Sequence, residues 1–172
     1  MRDVLEFYPS QNSVIAEILS SCLNIAPRNI FIGNGAIEVI QAVLHNFTKN
    51  KIMVNIPTFS SYYEFVKDGI EVIFNQLHKV DNYKLNIERY LQRVHEEKPD
   101  TIVIINPNNP DGGYVKYSDI KYLLANVTSV ETVIIDESFI HFAYEDETYE
   151  MKSATELIKE YPNLIVIKSM SK

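Results

Sequence analysis

Chemistry in this sequence gathers in four short segments. The first, Gly33-Asn34-Gly35-Ala36, precedes an apolar helical pattern. Glycines let a backbone approach a ligand closely, and a helix start offers unpaired N–H groups with a partial positive charge. A phosphate would sit well there, and a plain glycine turn would look the same. It is not a P-loop, since no Gly-Lys-Ser/Thr closes it. Nor is it a dinucleotide fingerprint, because the third glycine is missing and no acid lies between Glu38 and Glu64. The second segment is Asn106-Pro107-Asn108-Asn109-Pro110-Asp111-Gly112-Gly113. Two prolines stiffen it and two glycines let it reverse, which suits an asparagine amide held towards a ligand. The third is Asp136-Glu137-Ser138-Phe139, after four apolar or β-branched residues. A carboxylate at the edge of an apolar sheet is costly to desolvate unless something positive meets it. Asp136 as a helix cap is the plainer alternative, and a magnesium-binding acid of an NTPase would need the P-loop this chain lacks. The fourth is Ser169-Met170-Ser171-Lys172. A lysine there is ordinarily a solvated charge. In a crevice shared with the other segments, its amine would be a Schiff-base nucleophile.

The elements that must position these segments alternate along the chain. Val14, Ile15, Ile18, Leu19 and Cys22 fall on one helical face, and Ile30-Phe31-Ile32 reads as a short strand. Ile37, Ile40, Val43, Leu44 and Phe47 form a second helical stripe, followed by a strand from Lys51 to Ile56 stopped by Pro57. A helix is predicted from Ser60 to Lys67 with Gly69 as its stop, then a strand at 71–74. Asn86 is placed to cap a helix bearing Ile87, Tyr90, Leu91 and Val94. Strands follow at 101–105, 132–135 and 164–167, with a helix marked by Ile120, Leu123, Leu124 and Val127. Runs apolar on both faces belong to strands covered on both sides, as in parallel sheets. The fold class predicted is α/β, three layers with helices on both faces of a mostly parallel central sheet. In such folds ligands collect beyond the carboxyl ends of the strands, where all four segments fall.

A chain of 172 residues is one domain or part of one. No helix pattern follows the last apolar run, which predicts part of a larger domain. A net charge of −7 argues against a general nucleic-acid binder, and a single cysteine, Cys22, excludes an internal disulfide framework. No apolar run approaches the roughly 20 residues that span a bilayer. The first residues, Met1-Arg2-Asp3-Val4-Leu5-Glu6, do not read as a signal peptide, so a cytoplasmic protein away from the membrane is expected. His45, His78, His95 and His141 are scattered without metal-ligand spacing, so no metal is expected. Glu145-Asp146-Glu147 reads as a solvated acidic turn.

The four segments, each after a strand and in this order, resemble the fold type I pyridoxal-phosphate-dependent aminotransferases. The likeness leans to the branch of histidinol-phosphate aminotransferase and threonine-phosphate decarboxylase, and runs from Tyr8-Pro9 to Lys172. The resemblance implies that pyridoxal 5'-phosphate is the cofactor and that Lys172 forms the Schiff base and moves the substrate's α proton. It gives Asp136 the ring nitrogen, Asn109 the phenolic oxygen, and Asn34, Gly35 and Ala36 the phosphate, with Ser169 and Ser171 adding hydroxyls. Phe59 matches the aromatic that stacks on the ring. Tyr8 matches a tyrosine reaching the phosphate of the partner subunit, which implies a homodimer with shared active sites. Residues 1–172 would then be a partial large, cofactor-binding domain, without the remainder of that domain and the small domain. The main reading is an aminotransferase acting on a small-molecule amino donor and acceptor. A decarboxylase of a phosphorylated amino acid and a truncated non-catalytic domain are the alternatives. Three departures stand out: Asp111 where the family usually has threonine, Phe139 where it often has tyrosine, and no arginine after Arg93.

Overall fold

The computed structural model describes residues 11–145, 147 and 151–170. Its centre is a five-stranded sheet in which every strand pairs in parallel. The strands are β1 (Lys51–Ile56), β2 (Glu71–Gln76), β3 (Thr101–Ile105), β4 (Thr132–Asp136) and β5 (Leu164–Ile167), in the order β2-β1-β3-β4-β5. The helices are α1 (Asn12–Leu23), α2 (Ala36–Phe47), α3 (Ser61–Glu64), α4 (Ile87–Glu97) and α5 (Tyr117–Asn126).

Successive strand residues face opposite sides, and that alternation divides the core in two. Met53, Ile102, Ile104, Val133 and Ile135 pack with Tyr90, Leu91 and Val94 of α4 and Ile120, Leu123 and Leu124 of α5. Ile52, Val54, Val103, Ile105 and Ile134 pack on the other face with Ile40, Val43 and Leu44 of α2 and with Tyr62. These are the three predicted layers. Asn86 caps α4 as expected, its side chain accepting from Arg89 N at 3.0 Å.

Three local expectations are corrected. Ile30-Phe31-Ile32 is not a strand: Ile30 has extended backbone (φ −117°, ψ 119°), but no described strand runs beside it. A strand needs a neighbour for its N–H and C=O groups. Between this segment and β5 lies a groove of about 680 Å³ lined by Phe31, Val43, Phe47, Leu164 and Val166. The stripe on α1 is not a core face either. Ala16 is buried, whereas Val14, Ile18 and Cys22 are exposed, because among the described residues no layer covers that side. The helix expected over 60–67 is the single turn α3. Beyond it, the carbonyl of Phe65 meets the His45 ring at 3.1 Å and the Lys67 amine donates to His45 O at 2.7 Å. These bonds draw the segment onto α2 instead of into a longer helix.

The start of β1 is held by a carboxylate. Asp100 accepts from the backbone amides of Lys49, Asn50 and Lys51 at 3.1, 2.7 and 2.8 Å. Burial pushes its pKa up, but these amides and the Thr101 hydroxyl prevail and hold it below its ordinary value of 3.8. A depressed folded pKa means stability that is present above the ordinary value and lost as pH falls through the lowered one. Asp100→Asn is therefore expected to melt below wild type at neutral pH, with the gap closing in acid. Thermal melts over an acid series check this, and a gap independent of pH would contradict it.

Candidate active site

The carboxyl ends of β1, β3 and β4 enclose a cavity of about 180 Å³. Chain order reverses between β1 and β3, and such switch points are where open α/β sheets leave a crevice. Ala36, Phe59, Asn109 and Asp136 line it together, so four of the predicted site residues, drawn from four separate stretches of chain, meet in one place. Ile37, Ile40, Ile105, Ser138 and Phe139 complete the wall.

Asp136 ends β4 with even parity, which places it on the α2 side of the sheet with Ile134. It is 4% exposed. Its Oδ2 accepts from Tyr62 Oη at 2.7 Å and its Oδ1 from Ser138 N at 2.8 Å. The second bond is a local turn of the kind the capping alternative foresaw, although a short 3-10 turn, Ile140–Phe142, follows instead of an α-helix. Tyr62 has no counterpart among the residues singled out from sequence. Burial first, and then the Asp136 carboxylate, push its phenol well above its ordinary pKa, so it stays protonated and donates. The signal available in sequence was weak, a tyrosine three residues after Phe59. For the cofactor that the resemblance implies, Tyr62→Phe is expected to weaken binding about fivefold, the value of one hydrogen bond to the acid. Titration of the full-length protein with pyridoxal phosphate measures this, and unchanged affinity would refute the role.

The asparagine loop is tied to the loop after β1. Asn108 Nδ2 donates to Pro57 O at 3.0 Å and to the Asp111 carboxylate, and its Oδ1 accepts from Thr58 Oγ1 at 2.9 Å. The side chain of Asn108 is thereby engaged within the scaffold, and Asn109 is the asparagine left on the cavity wall. Asp111 also accepts from Gly113 N at 2.6 Å, so the carboxylate that departs from the family pattern serves the loop. Asn106 closes the loop's base, pairing with the N–H and C=O of Val115 at 2.8 and 2.9 Å. The peptide bonds before Pro57, Pro107 and Pro110 are cis.

The glycine segment enters the site through Ala36, the first residue of α2. Gly35 has φ +94°, a backbone that L side chains rarely adopt. Among the described residues no side chain caps α2, and Val39 N is the first amide to reach a carbonyl, that of Gly35. The amides of the first turn are thus available to an anion. Asn34 N is occupied, donating to Glu38 Oε2 at 2.9 Å. Ser169 follows β5 at the same end of the sheet. Tyr8, Ser171 and Lys172 lie outside the described residues.

Glu137 turns to the opposite face. It is 2% exposed and accepts from Ala154 N at 2.6 Å, Ser153 Oγ at 2.5 Å and Lys168 Nζ at 3.1 Å. It clamps the end of β5 and the 153–154 segment to the end of β4. Glu145 is likewise no freely solvated turn residue. It accepts from Tyr114 Oη at 2.9 Å and Tyr117 N at 2.5 Å and pairs with Lys152 at 3.4 Å. Burial raises its pKa, but those partners outweigh it and hold the carboxyl below its ordinary value.

The sequence matches the family model of aminotransferase class I and II over residues 6–172. The chain belongs to that family. The family's cofactor is pyridoxal 5'-phosphate, and the donor set here fits it: a buried acid for a ring nitrogen, a half-buried aromatic and an amide on the cavity wall, and an uncapped helix start for a phosphate. The chain is 59% identical over its whole length to L-serine phosphate decarboxylase of Campylobacter jejuni, and spans 44% of that protein. It is 34% identical to histidinol-phosphate aminotransferase of Clostridium novyi, spanning 46% of it. A solved decarboxylase from Sulfurospirillum multivorans superposes over 99% of this chain and 44% of its own, with a TM-score of 0.94 and 47% identity. The chain therefore spans less than half the length of these relatives. No helix among the described residues is long and apolar enough to cross a membrane.

Proposed function

We propose that this chain is part of a pyridoxal-phosphate-dependent decarboxylase of a phosphorylated amino acid. The observation that carries the reading is the 59% identity to an L-serine phosphate decarboxylase, against 34% to a histidinol-phosphate aminotransferase. Transamination, the main expectation from sequence, gives way to the decarboxylase that stood beside it. Pyridoxal phosphate, when bound, would supply an electron sink for the substrate's α carbon. The residues of this chain prepare that. Asp136, held by Tyr62 and Ser138 N, would keep a proton on the ring nitrogen. Phe59 would stack on the ring, Asn109 would meet the phenolic oxygen, and the start of α2 with Asn34 and Gly35 would hold the phosphate. By the resemblance, Lys172 would bind the cofactor covalently and Ser169 and Ser171 would add hydroxyls to its phosphate. Residues 1–172 would, in this reading, be part of the large domain of a homodimer in which, by the resemblance, Tyr8 would reach the partner's phosphate site.

The test is direct. Full-length protein loaded with pyridoxal phosphate is given L-serine phosphate, and CO2, amine and keto acid are measured. Release of CO2 with one equivalent of phosphorylated amine, and no keto acid, is expected. Keto acid without CO2 would return the reading to transamination. Borohydride reduction followed by peptide mapping is expected to label Lys172, and a label elsewhere would refute the assigned lysine.

A further inference from the structure

Ser138 carries a hydroxyl at odds with its burial. The residue is 5% exposed, lines the same cavity as Phe59, Asn109 and Asp136, and its Oγ has no hydrogen-bond partner among the described residues. A hydroxyl that has lost its water without gaining a partner destabilises the protein that holds it. Two other side-chain oxygens share this condition, Thr48 Oγ1 and Tyr90 Oη, and neither residue lines the cavity. The backbone of Ser138 has a separate task, since its N–H holds Asp136 Oδ1 at 2.8 Å. That bond needs no side chain, so the hydroxyl is not kept for the turn.

The neighbouring residue sharpens the point. Phe139 lines the same cavity with a ring that carries no donor, and packs against Phe142 with centroids 6.3 Å apart. A tyrosine at 139 would offer a phenol to the cavity. Here the hydroxyl stands one residue earlier. We propose that Ser138 Oγ is a cofactor-binding group, donating a hydrogen bond to the phenolic oxygen of pyridoxal phosphate alongside Asn109 and supplying the donor that Phe139 lacks. The inference rests on the cofactor-site reading above and adds to it a residue and its target atom.

Full-length wild type, Ser138→Ala and Ser138→Ala/Phe139→Tyr are titrated with pyridoxal phosphate. Affinity, the pH midpoint of the bound cofactor's visible absorption band, and the melting temperature of the cofactor-free protein are read. Ser138→Ala is expected to melt no lower than wild type without cofactor, because the unpaired hydroxyl is gone. Its affinity falls about fivefold, the value of one hydrogen bond. Its pH midpoint rises, because a donor to the phenolic oxygen draws off negative charge that otherwise holds the neighbouring proton. Adding Phe139→Tyr brings the midpoint back down. Unchanged affinity and midpoint overturn the proposal, as does a lower melting temperature without cofactor, which would mark a structural hydroxyl. A wild type that shows no band overturns the cofactor site itself, and this proposal with it.

Discussion

Asp136→Ala is expected to leave the full-length protein nearly unable to hold or use pyridoxal phosphate. The carboxylate lies in a cavity with Phe59 and Ile105 on its walls, where few waters compete and a charge interacts strongly. Its two oxygens are already fixed by Tyr62 Oη and Ser138 N, so it arrives at the ring oriented and needs no reorganisation. Removing a preorganised charge from such a site lowers turnover by about a thousandfold. Affinity falls with it, because the ring proton loses its partner. Asp136→Asn separates charge from shape. Its single amide oxygen still accepts from Ser138 N, and its NH2 group donates to Tyr62 Oη, which as a hydroxyl turns from donor to acceptor. The charge is lost, so cofactor-free stability stays nearer wild type than in the alanine variant while turnover falls nearly as far. Absorption titration, steady-state rates and thermal melts measure the three effects. An asparagine variant with wild-type turnover would remove Asp136 from the role of ring partner.

The adjacent acid is expected to fail in a different way. Glu137→Ala should lower the stability of the fold by about 3 kcal/mol, the scale for removing one partner of a buried charged pair. Three donors lose their acceptor at once: Ala154 N, Ser153 Oγ and Lys168 Nζ. The Lys168 side chain is 25% exposed and can recover some water, while Ala154 N is buried and cannot. Glu137→Gln keeps the shape and an acceptor but loses the charge, so a smaller loss is expected. At temperatures where both variants are folded, cofactor affinity should change far less than in Asp136→Ala. Denaturant melts paired with absorption titrations test this. If Glu137→Ala and Asp136→Ala weakened cofactor binding equally with equal stability, the division of labour between the two acids would be wrong.

That division illustrates how much was legible in advance. Thr132-Val133-Ile134-Ile135 announces a doubly covered strand, and strand parity then sends residues 136 and 137 to opposite faces. Phe59, Asn109 and Asp136 lie at or just after the ends of β1, β3 and β4, and Ala36 opens α2. A parallel sheet brings strand ends to one side, so the meeting of these four residues follows from pattern plus resemblance, although the strand expected before the glycine segment is absent. Parity could not say what each acid would find on its own side. Glu137 depends on a segment 17 residues later and on Lys168. Tyr62 reaches Asp136 across 74 residues, in a position that read only as part of a helix. The Glu145 turn looked solvated because its partners, Tyr114 and Tyr117, belong to another part of the chain.

Ile30-Phe31-Ile32 shows the same limit from the other side. Its residue types favour a strand and Ile30 has extended backbone, yet strand pairing is a property of two segments, and none of the described strands lies beside it. By itself, the sequence determined what hydrophobic periodicity and local chemistry can encode: the strands and most of the helices, the layers, the stop at Pro57, the cap at Asn86, and the end of the sheet at which chemistry would gather. The tertiary structure alone decided which polar groups meet, as with Tyr62 on Asp136, Asn108 on Thr58, and the Ser138 hydroxyl, unpaired among the described residues. The reason is physical. Burying an apolar side chain needs only a non-directional apolar surround, which periodicity supplies, whereas a buried polar group needs one partner at one distance and angle, and sheet order sets where that partner stands.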